Sequence, residues 1–399
     1  MRSASSSSLR PGAVLVYVTV AMVAFCAFVS LAVDAAHVRV VKKQLQFAAD
    51  AAARAGCGSL PDGIKTAQDV AAAAAGQNVA DGTSVIIDEK NDIVFGVWDP
   101  RVKTFTAVSG GARSGANAVQ VNPARSAAKG NAVSLAFAKL LGEGTFDVRA
   151  AATVCLTGNA GAYSLIGLNG IAMSGNAYTD SYNAAQSGLY SSAVALHKGA
   201  VASNGNITLN GTITVDGDCR CGAGQSTTLI GGAKVTGLDA PLGTILSYPS
   251  VTLPASYMDL GDVNMSSGTV SLPGGTYLIH NLTLSGSSHI IWTGPVNLYI
   301  RNSYIVSGGA AIDTYNNLPA NRILYFLPTC TTATWTGTNV CVGELYGPDT
   351  DVTISGGVEL CGRITGRTIN NSSSGGMHYD ESLSGPGGTA ARESVSTVQ

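Results

Sequence analysis

Charge is what this 399-residue chain most lacks. Only 12% of its residues are Asp, Glu, Lys or Arg, and they sum to a formal net charge of −2. No basic stripe is present to neutralise a phosphate backbone, so nucleic acid is not an expected partner. No acidic tail is present either, which removes a disordered solvating arm. Aromatic residues are scarce at 6%, and although glycine is abundant at 49 residues, no G-X-Y period runs through it, so the chain is not collagenous. There is no P-loop, nucleophile elbow or dinucleotide fingerprint. The best-known sequence signatures of phosphate, acyl and hydride transfer are therefore lacking.

Cysteine is present but not in metal-binding spacing. The eight are Cys26, Cys57, Cys155, Cys219, Cys221, Cys330, Cys341 and Cys361. "CRC" at 219–221 is not CxxC and has no second ligand pair, so neither a metal nor another cofactor is expected. Cys26 lies in an apolar run, and the other seven are an odd number that cannot all pair within one chain. Cys330 and Cys341 bracket a short loop and are the first disulfide candidates in an oxidising compartment. Cys57 and Cys155 are a second candidate pair that would join the ends of one domain.

What the chain does have, first of all, is a long uncharged run. Gly12 to Val33 is 22 residues without a charge, enough helix to cross a hydrocarbon core of about 30 Å. A cleaved signal has a shorter apolar core, roughly 7–15 residues. Asp34 and the continuing helical pattern argue against cleavage after the run, so it reads as a signal anchor that stays attached. Arg2 and Arg10 precede the span while Arg39, Lys42 and Lys43 follow it, so flanking charge does not orient it. The short N-terminal tail and the turn-rich, cysteine-containing remainder favour an N-terminus in the cytoplasm. In a bacterium that means a single pass through the inner membrane, with the bulk periplasmic or at the cell surface. Beyond the span, Val38, Val41, Leu45, Ala48, Ala49, Ala52 and Ala53 recur near helical spacing, which predicts an amphipathic helix over 34–57. Small alanines let another element approach closely, whether a partner helix or the next domain of this chain.

Residues 58–156 alternate helix and strand signals. "IKTAQDVAAAAAGQNVA" (64–80) is a helix between turn residues, and "SVIIDEKNDIVFGVWD" (84–99) reads as two strands around a charged turn of Asp88, Glu89 and Asp92. "AVQVNPAR" extends the sheet, "NAVSLAFAKLLGEG" (131–144) reads as a helix, and "FDVRAAATVCL" (146–156) is a closing strand. The expectation is an α+β module. From 157 to 385 the texture changes to strand pieces of four to six residues between Gly, Asn, Ser and Asp, as in "ITLNGTITV" and "VNLYIRNSYIV". Alternation points Ile, Leu and Val inward, and the recurrence suits stacked rungs. The expected fold is a right-handed parallel β-helix, with a β-sandwich as the runner-up. Residues 1–11 read as a cytoplasmic tail and 386–399 as a disordered one.

Several stretches carry a family resemblance. "RPGAVLV" (10–16), "LAVD" (31–34) and "QLQFAADAAARAG" (44–56) resemble the N-terminus of TadG-like and TadE-like proteins of Flp (tight adherence) pilus systems. "GVWD", "AVQV" and "VRAAATV" resemble the periplasmic part of the TadG-like branch. Cleaved pilins of this class carry a Glu-Tyr pair at the fifth and sixth positions after a glycine. Here the fifth residue after Gly12 is Tyr17 and no Glu is near, so the resemblance implies an intact anchor. "PGGTYLIHNLTLSGSSHIIWTGPVNLYI" (273–300), "ELYGPDTDVTISGGVELCGRITGRTI" (344–369) and "MHYDESL" (377–383) resemble an uncharacterised β-helical surface domain. That implies an exported scaffold with no activity to transfer.

An enzyme remains the competing reading, because many β-helices cleave acidic polysaccharides. Asp216/Asp218 and Asp349/Asp351 are i, i+2 pairs that share a strand face, as glycosidase carboxyls could. The same residues also suit turns, where Asp bonds its own backbone. His378, Asp380 and Glu381 form the densest polar group, readable as a general base or metal site or as a cap on the last rung. His280 and His289 are isolated in strands and read as structural. The sequence favours a non-enzymatic, membrane-anchored envelope protein whose partners are the inner membrane and pilus-assembly components. Self-association through open β-helix ends is a further possibility, and a carbohydrate-active β-helix is the alternative.

Overall fold

The computed structural model describes residues 11–100, 102–142, 144–157, 163–383 and 394–398. Pro11–Gly58 is one 48-residue helix, α1. No proline or glycine interrupts it between residues 13 and 55, so nothing inside breaks the hydrogen-bond ladder. Its first half is bare: the most apolar window is long and apolar enough to cross a membrane and has none of its surface buried. Its second half is amphipathic, with Val41, Leu45, Ala48, Ala49, Ala52, Ala53 and Cys57 buried. Ala67, Ala71 and Ala75 of α2 (Ile64–Gly76), one helical turn apart, are buried in the same core. The helices are so close that a Cβ on Gly56 would lie 2.9 Å from the Ala71 Cβ.

The other layer of this module is an antiparallel sheet ordered Ser394–Val398, Ala152–Thr157, Ala118–Val121, Ile93–Asp99, Thr104–Ala107. Val119, Val121, Val154 and Leu156 share the core of α1. Three expectations are corrected. Residues 131–144 are not a helix. Val133–Ser134 pairs with Thr145–Phe146 as a short hairpin around a 3-10 turn at Ala138–Leu141. Helical periodicity there loses to a tertiary contact: the Asp34 carboxylate accepts the backbone N–H groups of Ala136, Phe137 and Ala138. Of the two strands expected over 84–99, Ile93–Asp99 forms. Val85 and Ile87 bury their side chains outside any strand beyond Ser84. The last segment is not wholly an unstructured tail, since Ser394–Val398 is the edge strand of the sheet, its alternating Ser/Val/Thr suiting a pleated edge.

Between Thr157 and Ser394 lies a mainly-β region in which every strand pairing among the described residues is parallel. A β-sandwich, built from antiparallel sheets, is not what these strands make. Partners recur at steps of about twenty residues: Ile207 with Thr227, Tyr277 with Leu298, Val340 with Glu359. The layer order does not follow the chain. From one end it runs 258–272, 275–292, 296–313, 322–337, 340–356, 359–380, then 165–182, 201–215 and 219–235. The chain therefore enters the stack in its middle, builds to one end, crosses to the far end through 236–257, and returns to close against its own entry strand. Nine layers at about 4.8 Å span about 38 Å. The 22-residue crossing segment, extended, reaches about 70 Å, so it covers the distance easily. Inside, Leu, Ile and Val from alternate strand positions form one continuous core with Trp292 and Trp335.

Candidate functional site

The residues singled out from the sequence are mostly tied into bonds between layers. Asp216 accepts a hydrogen bond from the Thr236 hydroxyl (2.8 Å) and lies 2.7 Å from His197 Nδ1. Asp218 accepts the backbone N–H of Leu238 at 2.8 Å. Each thus pins a corner to the chain twenty residues on, where the crossing segment begins. Asp351 is gripped by Arg367 through Nε (2.8 Å) and Nη2 (2.5 Å) and accepts the Thr368 hydroxyl at 2.7 Å. The Arg367 guanidinium holds the Asp351 carboxyl below the usual carboxylate range. Asp349 is half-buried beside it. His280 meets Asp259 at 3.1 Å, and His289 meets Asp313 at 3.6 Å, again across layers.

The cysteines do not pair as the spacing suggested. Cys330 and Cys341 are separate buried thiols. Cys330 Sγ donates to the Thr332 carbonyl at 3.5 Å, while Cys341 Sγ accepts from Arg322 Nη2 at 2.9 Å. Burial raises the first to about 12 and the second to about 11. Cys57 packs in the core between α1 and the sheet, whereas Cys155 packs with Trp98 and Ala118. Strand alternation puts Val154, and not Cys155, on the α1 side, so the two thiols lie on opposite faces of the sheet.

One constellation forms that the sequence named only in part, through His378, Asp380 and Glu381. Where the last strand of the stack, Gly376–Asp380, docks on Tyr178–Tyr182, His378 stands in register with Asp180 on one side and Cys361 on the other. His378 Nδ1 is 2.5 Å from Asp180 Oδ1, and the Tyr190 hydroxyl donates to Asp180 Oδ2 at 2.6 Å. Nucleophile, base and orienting carboxylate would stand in this order in a thiol enzyme. The surroundings give it another character. His378 is fully buried, the Tyr190 ring stacks on its imidazole with centroids 3.4 Å apart, and burial pushes the Cys361 thiol up to about 12. Cys361 itself packs among Tyr182, Ala184 and Val342, with Tyr190 against the same cluster. The constellation fastens the 183–199 excursion to the stack. Asp380 Oδ1 accepts the Ala184 N–H at 2.9 Å, and Glu381 accepts from Ser181 (2.8 Å) and Lys198 (2.5 Å). Asp180 and His378 are 198 residues apart, so no local pattern announces their pairing. Among the described residues no group of His, Cys, Asp and Glu has the makings of a metal site.

The second polar centre is on the α+β module that packs against α1. Beside α1 a cavity of about 700 Å³ is lined by Lys42, Gln46, Asp92, Ser126, Lys129 and Arg149, among others. Lys129 pairs with Asp92 at 2.5 Å. Asp34, where the uncharged run ends, holds the 133–146 hairpin by bonds of 3.0, 3.0 and 2.7 Å.

The comparisons with known proteins divide the chain along the same lines. Residues 50–153, the α+β module, match the family described as "Putative Tad-like Flp pilus-assembly". Residues 257–385, over half of the parallel stack, match a domain family of unknown function. No curated protein matches the chain. A crystal structure of an ice-binding protein from the Antarctic ascomycete Antarctomyces psychrotrophicus aligns with 55% of this chain and 96% of its own, at 14% identity and a TM-score of 0.26. At that score the likeness carries no argument. What the chain joins is a long apolar helix, a segment matching the Tad-like Flp pilus-assembly family, and a parallel-stranded region matching an uncharacterised domain.

Proposed function

We propose that the protein is a non-enzymatic, single-pass envelope component that assists assembly, anchoring or decoration of Flp/Tad-type pili. In this reading α1 is a retained signal anchor in the inner membrane, the module of 58–156 is periplasmic, and the parallel stack is a right-handed β-helix presented outward. The observation that carries the reading is the family match of residues 50–153, which begins inside α1 itself. The module is thus continuous with the anchor, with no linker between them. The state of the carboxyl candidates supports a scaffold over a polysaccharide enzyme. Asp216, Asp218 and Asp351 each bond residues sixteen to twenty positions further along the chain, as residues that hold a scaffold together do.

The test is a deletion strain, sheared and imaged for surface pili, complemented by the full-length chain and by a version lacking residues 1–33. The expected result is loss of pili, restored only by the anchored form. Pili that persist after deletion would refute the assembly role. Restoration by the anchor-less form would refute the retained anchor.

A further inference from the structure

The hairpin of 133–146 sits beside Asp34, at the end of the uncharged run of α1. The uncharged run ends at Val33, and the next residue, Asp34, is the one that accepts the N–H groups of Ala136, Phe137 and Ala138. A hairpin tip bonded to that residue lies within a few ångströms of the hydrocarbon edge. The inward residues of this region, Val133, Leu135 and Val148, are buried. Its outward aromatics are not: Phe137 is 40% exposed and Phe146 is 52% exposed. Lys139 is exposed between them in sequence, and exposed Arg149 follows, with exposed Asp147 the one described acid in this run. Across from Arg149, Lys42 lines the same cavity, about 12 Å along α1 from Asp34. Exposed aromatic rings at the hydrocarbon edge with cations just above them is the composition of a membrane interface.

We propose that the 133–146 hairpin is a second membrane contact. Phe137 and Phe146 enter the headgroup–acyl boundary of the bilayer that α1 crosses, and Lys139 meets the lipid phosphates. The inference rests on α1 spanning that bilayer. Its consequence is orientational. One helix leaves a module free to tilt and spin about it, whereas a helix and a hairpin together fix the face that the module turns to the membrane. The bilayer is the occupant because the patch is continuous with the anchor. Phe47, more exposed at 67%, lies about 20 Å along α1 from Asp34, out of reach of the same lipid.

The test uses the full-length protein in vesicles of zwitterionic and anionic phospholipid. Tryptophan replaces one phenylalanine at a time: F137W, F146W, F47W as the distant control and F25W inside the span. The three native tryptophans are buried, at 8% exposure or less, and the parent protein supplies their constant background. Lipids brominated near the top of the acyl chain should quench and accompany blue-shifted emission from F137W and F146W, leave F47W at the parent level, and quench F25W. If F137W and F146W behave like F47W while F25W is quenched, the hairpin contact is overturned and the anchor stands. If F25W also escapes quenching, α1 does not cross the bilayer and both readings fall.

Discussion

Replacing Arg363 with methionine tests how the parallel stack holds a fully buried ion pair. Arg363 and Glu344 are in register on adjacent strands, with Nη2 2.5 Å from Oε1 and each side chain 2% exposed. The crossing segment of 236–257 shields this side of the stack, its Pro249 carbonyl accepting the Tyr346 hydroxyl at 2.7 Å. Methionine retains most of the apolar stem but strands the glutamate. Breaking a buried pair from one side costs about 3–5 kcal/mol, a large part of a total domain stability of about 5–15 kcal/mol. For a unit of this size each kcal/mol moves Tm by about 2–4 °C, so R363M should melt about 6–20 °C lower. The E344L/R363M double variant removes the stranded charge and should recover most of the loss. The assay is a fluorescence melt of the full-length protein in detergent, reporting through Trp292 and Trp335 inside the stack. A single variant within about 2 °C of the parent, or a double variant no better than the single, would refute the reasoning.

The remaining predictions concern backbone, acid and thiols. Gly362 has φ +145° and a Cβ there would lie 1.9 Å from the Gly343 carbonyl oxygen, so G362A should lower the melting temperature at least as far as R363M. Asp351 has its folded pKa depressed chiefly by Arg367. Its contribution is therefore present above the unfolded carboxylate value of about 3.9 and lost as pH falls through the folded value. The D351N variant should be less stable near neutrality and show a shallower acid limb in a urea titration run from pH 6 to pH 2; an unchanged limb would count against the Arg367 contact. Cys330 and Cys341, buried and protonated, should resist maleimide at neutral pH in the folded protein and react fully in denaturant without reductant, as read by intact mass. A mass two hydrogens short would restore the disulfide.

How much of this was legible depended on the range of the interaction involved. The long helix followed from local facts: 22 residues without charge, then alanines at helical spacing, with no proline or glycine to interrupt them. Stacked strands were legible because an inward-facing Ile, Leu or Val at every second position recurs about every twenty residues. Layer order was not, because Leu165–Gly175 finds its closing partner in Glu359–Ser373, a choice made across two hundred residues. The hairpin at 133–146 was misread for the same reason. Its apolar spacing is helical, and only Asp34, a hundred residues away, shows why the chain leaves that geometry. Asp216 and Asp218 lie between the strands Thr214–Val215 and Cys219–Arg220, and Asp351 lies within Val340–Gly356. Their bonds to residues sixteen to twenty positions later were invisible to a reading of adjacent positions. Cys330 and Cys341 were close in sequence, but each thiol took its own partner.

The insertion of the stack into the sheet that packs on α1 has a mechanical consequence. The stack begins after Ala152–Thr157 and ends before Ser394–Val398, and these strands are antiparallel neighbours with Thr157 opposite Ser394. Both connections therefore leave the module at one end of one strand pair, about 5 Å apart. A load on the stack pulls along both strands together, which shears their ladders without unzipping one from the other. The two strands are not equally held. Both lie against α1, but Ala152–Thr157 is flanked by a strand on each side, whereas Ser394–Val398 is a five-residue strand paired with one neighbour among the described residues. Under load the edge strand should slide out first. The stack then stays attached through Thr157, and the chain continues through the sheet core to the helix that holds it. On the proposed pilus-assembly reading, a component loaded while a fibre is assembled gains from this order of failure, because the edge strand yields before the sheet core does.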